Sequence, residues 1–345
     1  MKNEKINAWF LTKYGDAQHA FELREIDKPV ANDHQVLIRV ESFGLNFADI
    51  MARRGLYDDC PKLPAILGYD VVGTIKAIGK NADKSLLGKR VAALTRFGGY
   101  AEYVVTDYRA IVAVPEDMPP CEATALGTQY LTAYYSMFMH MNLQAGDRVL
   151  IHAAAGGVGT ALTQLAKHLG CVVYGNAGSE NKLQYLKENG VDYPINYRQQ
   201  DYEKVINNIL GKEKLQAVFN PIGGKTFKKD MRLIGSGGTL LLFGASQRIG
   251  SSSKFMATMK FLWDMGLLIP IMLVASSKTI AGVNMLRVSD YAPSKIQYCL
   301  NGLIELYKKG VIKPHAGGLF PASKLAEAHE LLESRQSTGK IALSW

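Results

Sequence analysis

The amino-acid sequence predicts an α/β protein: a doubly wound parallel sheet accompanied by a second, β-rich, barrel-like domain. Three observations carry this expectation. The middle of the chain alternates short β-branched runs with helical patterns, the arrangement that builds a parallel sheet covered on both faces. The first third is instead a series of β-branched runs punctuated by Gly and Pro, as in a compact barrel with tight corners. Finally, 345 residues are more than one ordinary core organises.

In chain order, Val36–Val40, Val71–Ile78 and Arg90–Leu94 are the strands of the first region. In the second, Val149–His152 leads into a helix over about Gly157–Leu169, Val172–Tyr174 into one over Glu180–Asn189, and Ala217–Asn220 into one over Lys225–Leu233. A further strand follows at Thr239–Gly244. The third region carries helices over about Ser294–Lys309 and Ser323–Glu333 and a last strand, Lys340–Ser344, expected to pair back with the first region. That return makes the β-rich domain discontinuous, 1–125 with 288–345, around a cofactor domain at 126–287.

Composition narrows the function classes. Cys60, Cys121, Cys171 and Cys299 are scattered without CxxC spacing, which argues against a disulfide framework or a structural zinc lobe and fits a reducing cytoplasm. The first residues, MKNEKINAW, hold no apolar stretch of the secretory kind. The net charge of +9 is spread along the chain with no basic run interleaved with aromatics, so it reads as a surface that attracts an anionic cofactor and not as a sequence-specific nucleic-acid face. Phe255–Ala275 is apolar but interrupted by Lys260, Asp264 and Pro270, and its longest uninterrupted run is short for a bilayer span. The expectation there is a buried helix, a lid or part of a subunit interface, with a surface-lying membrane contact as the alternative.

The sharpest motif is the run from Val149 through Ala154 to Gly156-Gly157-Val158-Gly159, a strand entering a Gly-rich turn and then a helix. Gly156 allows a backbone to approach a pyrophosphate, the helix N-terminus offers N–H groups to it, and Gly159 permits close helix–strand packing. Cofactor choice is made at the end of the next strand. An NAD site carries an acid there for the ribose hydroxyls, whereas this sequence has Asn176 and Ala177, then Gly178, Ser179 and Lys182. A hydroxyl and a cation suit a 2′-phosphate, so NADPH is the expected cofactor. Glu180 is accounted for by its place in the first turn of a helix.

Several motifs together resemble a known family. Gly44-Leu-Asn46-Phe-Ala-Asp49-Ile-Met-Ala-Arg53-Arg-Gly55-Leu-Tyr57 is similar to a signature of quinone oxidoreductases, the zinc-free branch of the medium-chain dehydrogenase/reductase superfamily. Leu131-Thr132-Ala-Tyr-Tyr135, the run Leu143–Gly159, Asn220-Pro-Ile-Gly-Gly224 and Gly310–His315 extend the resemblance over nearly the whole chain. Within that branch it resembles the homologues of the synaptic vesicle membrane protein called vesicle amine transport protein. The resemblance implies a GroES-like catalytic domain and a Rossmann cofactor domain. It also implies no metal: zinc-dependent members use a cysteine near the position of Asn46 and a histidine in a G-H-E triplet, which here is Gly68-Tyr69-Asp70.

By the same resemblance, Asn46 and Asp49 lie beside the nicotinamide, Thr132 near its carboxamide, and Gly156, Gly157 and Val158 on the pyrophosphate. Gly178, Ser179, Lys182 and Tyr197 line the adenosine phosphate pocket, Phe243 and Gly244 flank the cofactor, and Gly339-Lys340 forms a turn that reaches it. Tyr57 is the candidate for binding the acceptor and donating a proton; the competing account is a packed aromatic. Asp49 has an equally plain account as a loop-fixing carboxylate. The implied reaction is hydride transfer from NADPH to a quinone, with reduction of an enone or enal double bond as the alternative, and a homodimer is the implied assembly. A reading of another class is a regulatory or membrane-associated protein that keeps the cofactor fold.

Overall fold

Residues 4–248 and 254–345 are described in the computed structural model. The chain separates into two units, Met1–Leu131 with Met285–Trp345, and Thr132–Asn284.

The first unit is organised by the longest β-branched run. Gln35–Leu45 pairs antiparallel with Asp70–Ile78, with Tyr103–Asp107 and with Lys340–Ser344. A strand with three partners must bend, and register shifts at Leu37/Ile38 and Val40/Ser42 let it do so. Arg90–Leu94, Ile111–Ala113 and Ala316–Pro321 complete a seven-stranded sheet. Lys5–Leu11, Phe21–Asp27 and Ala65–Ile66 form a second, three-stranded one. Val36, Ile38, Phe43, Val71, Ile75, Val91, Ile341 and Leu343 fill the interior of this GroES-like unit. Each such side chain contributes about 1.5–3 kcal/mol by leaving water. The last strand is therefore core material for the first region despite lying some 300 residues away in sequence.

The second unit is a parallel six-stranded sheet. Its strands are β1 (Arg148–Ile151), β2 (Val172–Ala177), β3 (Tyr193–Asn196), β4 (Leu215–Asn220), β5 (Ile234–Leu242) and β6 (Thr279–Gly282), in the spatial order β3-β2-β1-β4-β5-β6. This is the Rossmann order, with its switch point between β1 and β4. Ahead of the sheet runs the Leu131–Phe138 helix, and from β1 onward the helices are α1 (Gly157–His168), α2 (Glu180–Glu188), α3 (Tyr202–Leu210), α4 (Lys225–Leu233), α5 (Lys254–Met265) and α6 (Pro270–Ser276). Helical spacing explains the packing: Tyr202, Ile206 and Leu210 of α3 share one face and meet Leu150, Ile195 and Val218 of the sheet.

Of the places expected for the apolar segment, the structure excludes the buried helix. Trp263 is 84% and Leu267 87% exposed, and Phe255, Met259, Ile271 and Val274 are exposed as well. Nothing among the described residues covers these faces. The 19-residue stretch Thr258–Ser276 has none of its length buried, and it breaks at Gly266, whose φ of 78° ends α5 before α6 begins. Packing of α5 on α4 uses only its inner side, where Phe261 lies beside Gly223.

Candidate functional site

In the Thr132–Asn284 unit the sequence-selected residues gather at the C-terminal ends of the strands. Gly156 is the N-cap of α1 and brings no side-chain cap to it, leaving that helix end to backbone N–H groups. A Cβ on Gly156 would meet only the Ala153 carbonyl oxygen, at 3.3 Å, so the turn stays open on that side. Gly159 is the opposite case: a Cβ there would lie 2.6 Å from the Ala154 Cα, in backbone that cannot give way. An open, uncapped helix N-terminus beside the switch point fits a pyrophosphate. Phe243 follows β5 and donates its N–H to the Asn220 carbonyl at 3.2 Å, and Gly244 packs against Pro221.

The end of β2 carries the second group. Ser179 is the N-cap of α2 and likewise makes no side-chain cap bond. Gly178 faces Tyr197, whose hydroxyl would stand 2.6 Å from any Cβ at that position. Lys182 is half-buried, and its ammonium is held below the usual lysine range by burial and by the Arg198 charge. Arg198 escaped the sequence reading because no motif flags it. Its signal is its place two residues past the end of β3, the strand that pairs with β2, which leads into the Lys182 helix. Glu180 accepts a hydrogen bond from Asn196 Nδ2 at 3.4 Å. Thr132, by contrast, is buried on the Leu131–Phe138 helix, ahead of the sheet.

The first unit brings Asn46, Asp49 and Lys340 into one buried cluster, together with Asp70. The Lys340 ammonium lies 2.6 Å from Asp70 Oδ2 and 3.2 Å from Asn46 Oδ1, while Asn46 Nδ2 donates to Asp70 Oδ2 at 3.1 Å. Both ends of the ion pair are wholly buried. Asp49 accepts from the backbone N–H of Asn46 at 2.8 Å and of Gly68 at 3.3 Å, and so closes the turn that starts the Phe47–Arg53 helix. Tyr57 stands outside this cluster, half-buried, its ring edge-on to Tyr69 at 6.1 Å. Burial, aided by the Asp59 and Asp49 charges, pushes its phenol up to about 12, so it is a neutral hydrogen-bond donor. The Tyr69 hydroxyl is buried and has no hydrogen-bond partner.

Burial pushes the Asp49 carboxyl up to about 7, with Asp70 acting the same way and the Asn46 N–H and Lys340 opposing it. The folded state then binds more protons than the unfolded one between about pH 4 and pH 7. This contribution to stability is full below about pH 4 and is lost as pH rises through about 7. In urea titrations, the wild type should lose on the order of 2 kcal/mol between pH 5 and pH 8 relative to Asp49→Asn. Parallel pH profiles for the two proteins would show that Asp49 is ionised throughout.

Comparison with known proteins places this geometry. Residues 32–116 match the alcohol dehydrogenase GroES-like domain family and residues 157–294 the zinc-binding dehydrogenase family. The chain is 34% identical over 316 residues to the human synaptic vesicle membrane protein VAT-1 homolog, spanning 91% of this chain and 80% of that protein. It belongs to the medium-chain dehydrogenase/reductase family. Human quinone oxidoreductase, a second relative in the family, is 30% identical over 321 residues, 92% of each chain. The crystal structure of Escherichia coli quinone oxidoreductase complexed with NADPH superposes with a TM-score of 0.85 at 25% identity, over 98% of this chain and 100% of that one. Medium-chain dehydrogenase/reductases are oxidoreductases. Despite the name of the second matching family, Asn46 and Tyr69 are hydrogen-bonding groups and poor zinc ligands. Among the described residues no group of three or more His, Cys, Asp and Glu could hold a metal ion.

Proposed function

We propose that this family member is a zinc-independent reductase that uses NADPH to reduce a quinone-type acceptor. The observation that carries the reading is the pair of cations, Lys182 and Arg198, beside the Ser179 helix end in the same unit as the open Gly156–Val158 turn. In this reading Gly156, Gly157 and Val158 hold the pyrophosphate. Ser179, Lys182 and Tyr197, with Gly178 giving room, surround the 2′-phosphate together with Arg198. Phe243 and Gly244 flank the cofactor, and Thr132 contacts its carboxamide. Bound NADPH would supply the hydride, and the chain supplies binding and orientation. Asn46 and the neutral Tyr57 phenol are the donors available to an acceptor oxygen, the role a metal plays elsewhere in the family. Asp49 shapes the turn that carries Asn46.

The test is NADPH oxidation by purified protein against ortho- and para-quinones and enones, with NADH in parallel and excess chelator throughout. Chelator-resistant quinone turnover that favours NADPH is expected. Preference for enones would select the double-bond reductase instead, and loss of activity to chelator would overturn the zinc-free reading. Lys182→Ala should weaken NADPH about 10- to 100-fold and NADH less than threefold, since charge-assisted bonds are worth about 1.5–3 kcal/mol. Equal weakening of both cofactors would remove the 2′-phosphate from this pocket.

A second reading is favoured by the exposed apolar faces of α5 and α6. In sequence α6 runs directly into β6, which lies at the edge of the sheet and pairs, among the described residues, with β5. A homodimer formed through this unit would cover both. A membrane-associated protein, the class named among the relatives, would press the same residues into lipid. Mass by light scattering and co-sedimentation with liposomes separate them: a monomer of 37.9 kDa that pellets with vesicles supports lipid, and a soluble dimer supports pairing.

A further inference from the structure

We propose that the buried Asp70–Lys340 ion pair is a positioning device that locks the Asn46 carboxamide, leaving it one N–H to donate to a carbonyl oxygen of the bound ligand. The proposal rests on the reductase reading above, and it moves Lys340 from the cofactor to a place behind Asn46.

The hydrogen-bond inventory carries the argument. A lysine ammonium has three donors, and all three of Lys340 are engaged inside the unit, by Asp70 Oδ2, Asn46 Oδ1 and, at 3.4 Å, the Leu45 carbonyl. None remains for a ligand. Asn46 is held from both ends, with its oxygen toward the ammonium and its nitrogen toward the carboxylate. Turning the amide over would set nitrogen against ammonium and oxygen against carboxylate, so a single orientation survives. Of its two Nδ2 hydrogens one is given to Asp70, and the other is what Asn46 has left. At 7% exposure this side chain is a pre-set donor, not a mobile surface amide.

The surroundings are shaped to admit the pair. A Cβ at Gly44, on the long central strand, would overlap Asp70 Oδ1 and the Lys340 Cε and Nζ. A Cβ at Gly127 would come 2.8 Å from the Asp70 Cβ. Two positions thus forgo a side chain so that two charges can sit where neither touches water. A buried pair contributes little to stability over apolar residues of the same size, because desolvation offsets the attraction. Its effect here is to orient Asn46. The recognised chemistry is an sp² carbonyl oxygen, found in the nicotinamide carboxamide and in a quinone or enone acceptor alike.

The test uses the full chain with Asp70→Asn/Lys340→Met, which removes both charges at nearly constant volume, and with Lys340→Met alone. The double variant should fold with a Tm within a few degrees of the wild type. It should lose about 100-fold in kcat/KM, the effect of a misplaced contact group. Loss of NADPH affinity in a fluorescence titration, with acceptor KM unchanged, assigns the donor to the nicotinamide. A fall in kcat or rise in acceptor KM, with NADPH affinity kept within twofold, assigns it to the acceptor. Independently of turnover, selective ¹⁵N-asparagine labelling should show, among the protected side-chain amides of the buried asparagines, one signal that is absent in Asn46→Ala and unprotected in the double variant. An unprotected Asn46 amide in the wild type overturns the lock, as does a double variant that keeps both kcat/KM and NADPH affinity within threefold. If the wild type turns over no quinone or enone, the reductase reading fails, while amide protection still decides the lock.

Discussion

Asp230→Ala is expected to destabilise the Thr132–Asn284 unit by about 3–5 kcal/mol and to lower its Tm on the order of 10 °C, the largest single-residue effect outside the apolar core. Asp230 is wholly buried and collects three donors: Asn220 Nδ2 at 2.5 Å, Tyr202 OH at 2.9 Å and His152 Nε2 at 2.9 Å. Asn176 Nδ2 donates to His152 Nδ1 at 3.1 Å, which leaves the proton of the imidazole on Nε2, pointing at the carboxylate. The network therefore ties the ends of β1, β2 and β4 to α3 and α4 across the switch point. Alanine would leave three buried donors without a partner. It would also release Asn220, whose Oδ1 accepts the N–H groups of Ile222 and Gly223. Urea unfolding measures the first effect. Asp230→Asn, which keeps the shape, should cost less than half as much, and equal costs would show that volume and not hydrogen bonding is at stake.

Gly159→Val should abolish measurable NADPH binding, at least a 100-fold loss. The valine side chain would start in space held by the Ala153 carbonyl oxygen and the Ala154 backbone, 2.8 Å from the Ala154 carbonyl carbon. None of these atoms can rotate away, so α1 must lift from β1 and carry the Gly156–Val158 N–H groups out of line. Gly156→Ala is the control, since its Cβ meets a single oxygen at 3.3 Å and the turn can relax by a few tenths of an ångström. It should weaken NADPH less than tenfold. Retained affinity in Gly159→Val would mean that the phosphates are held elsewhere.

Where the sequence was legible, a local signal and the tertiary need agreed. Helix α4 falls where periodicity places it, at Lys225–Leu233, because Phe227 and Leu233 share one inward face, and the last strand, Lys340–Ser344, falls where its short apolar run Ile341–Leu343 places it, buried on both sides. The Gly-rich turn between β1 and α1 was legible because Gly159 stands where a Cβ would overlap the Ala154 backbone. The weaker elements were not. Strand β3, Tyr193–Asn196, is four residues with a proline inside and takes its identity from pairing with β2. Asp230 could have been suspected, since it shares the inward phase of Phe227 and Leu233 on α4, where a lone acid in an apolar stripe asks for a partner. The pairing of Asp70 with Lys340 had no such signal, since the two lie 270 residues apart.

What the sequence by itself determined is the kind of protein: a parallel sheet with a Gly-rich turn, a β-rich companion and a hydroxyl and cation where an NAD enzyme has an acid. Those properties depend on periodicity and on glycine, which act over a few residues. Only the tertiary structure decided that Lys340 pairs with Asp70, that Arg198 joins Lys182, and that the apolar Phe255–Ala275 run is exposed and not a buried helix. Charge pairing and burial are set by which surfaces meet, and that depends on strand order and connection, for which a single sequence carries no local code.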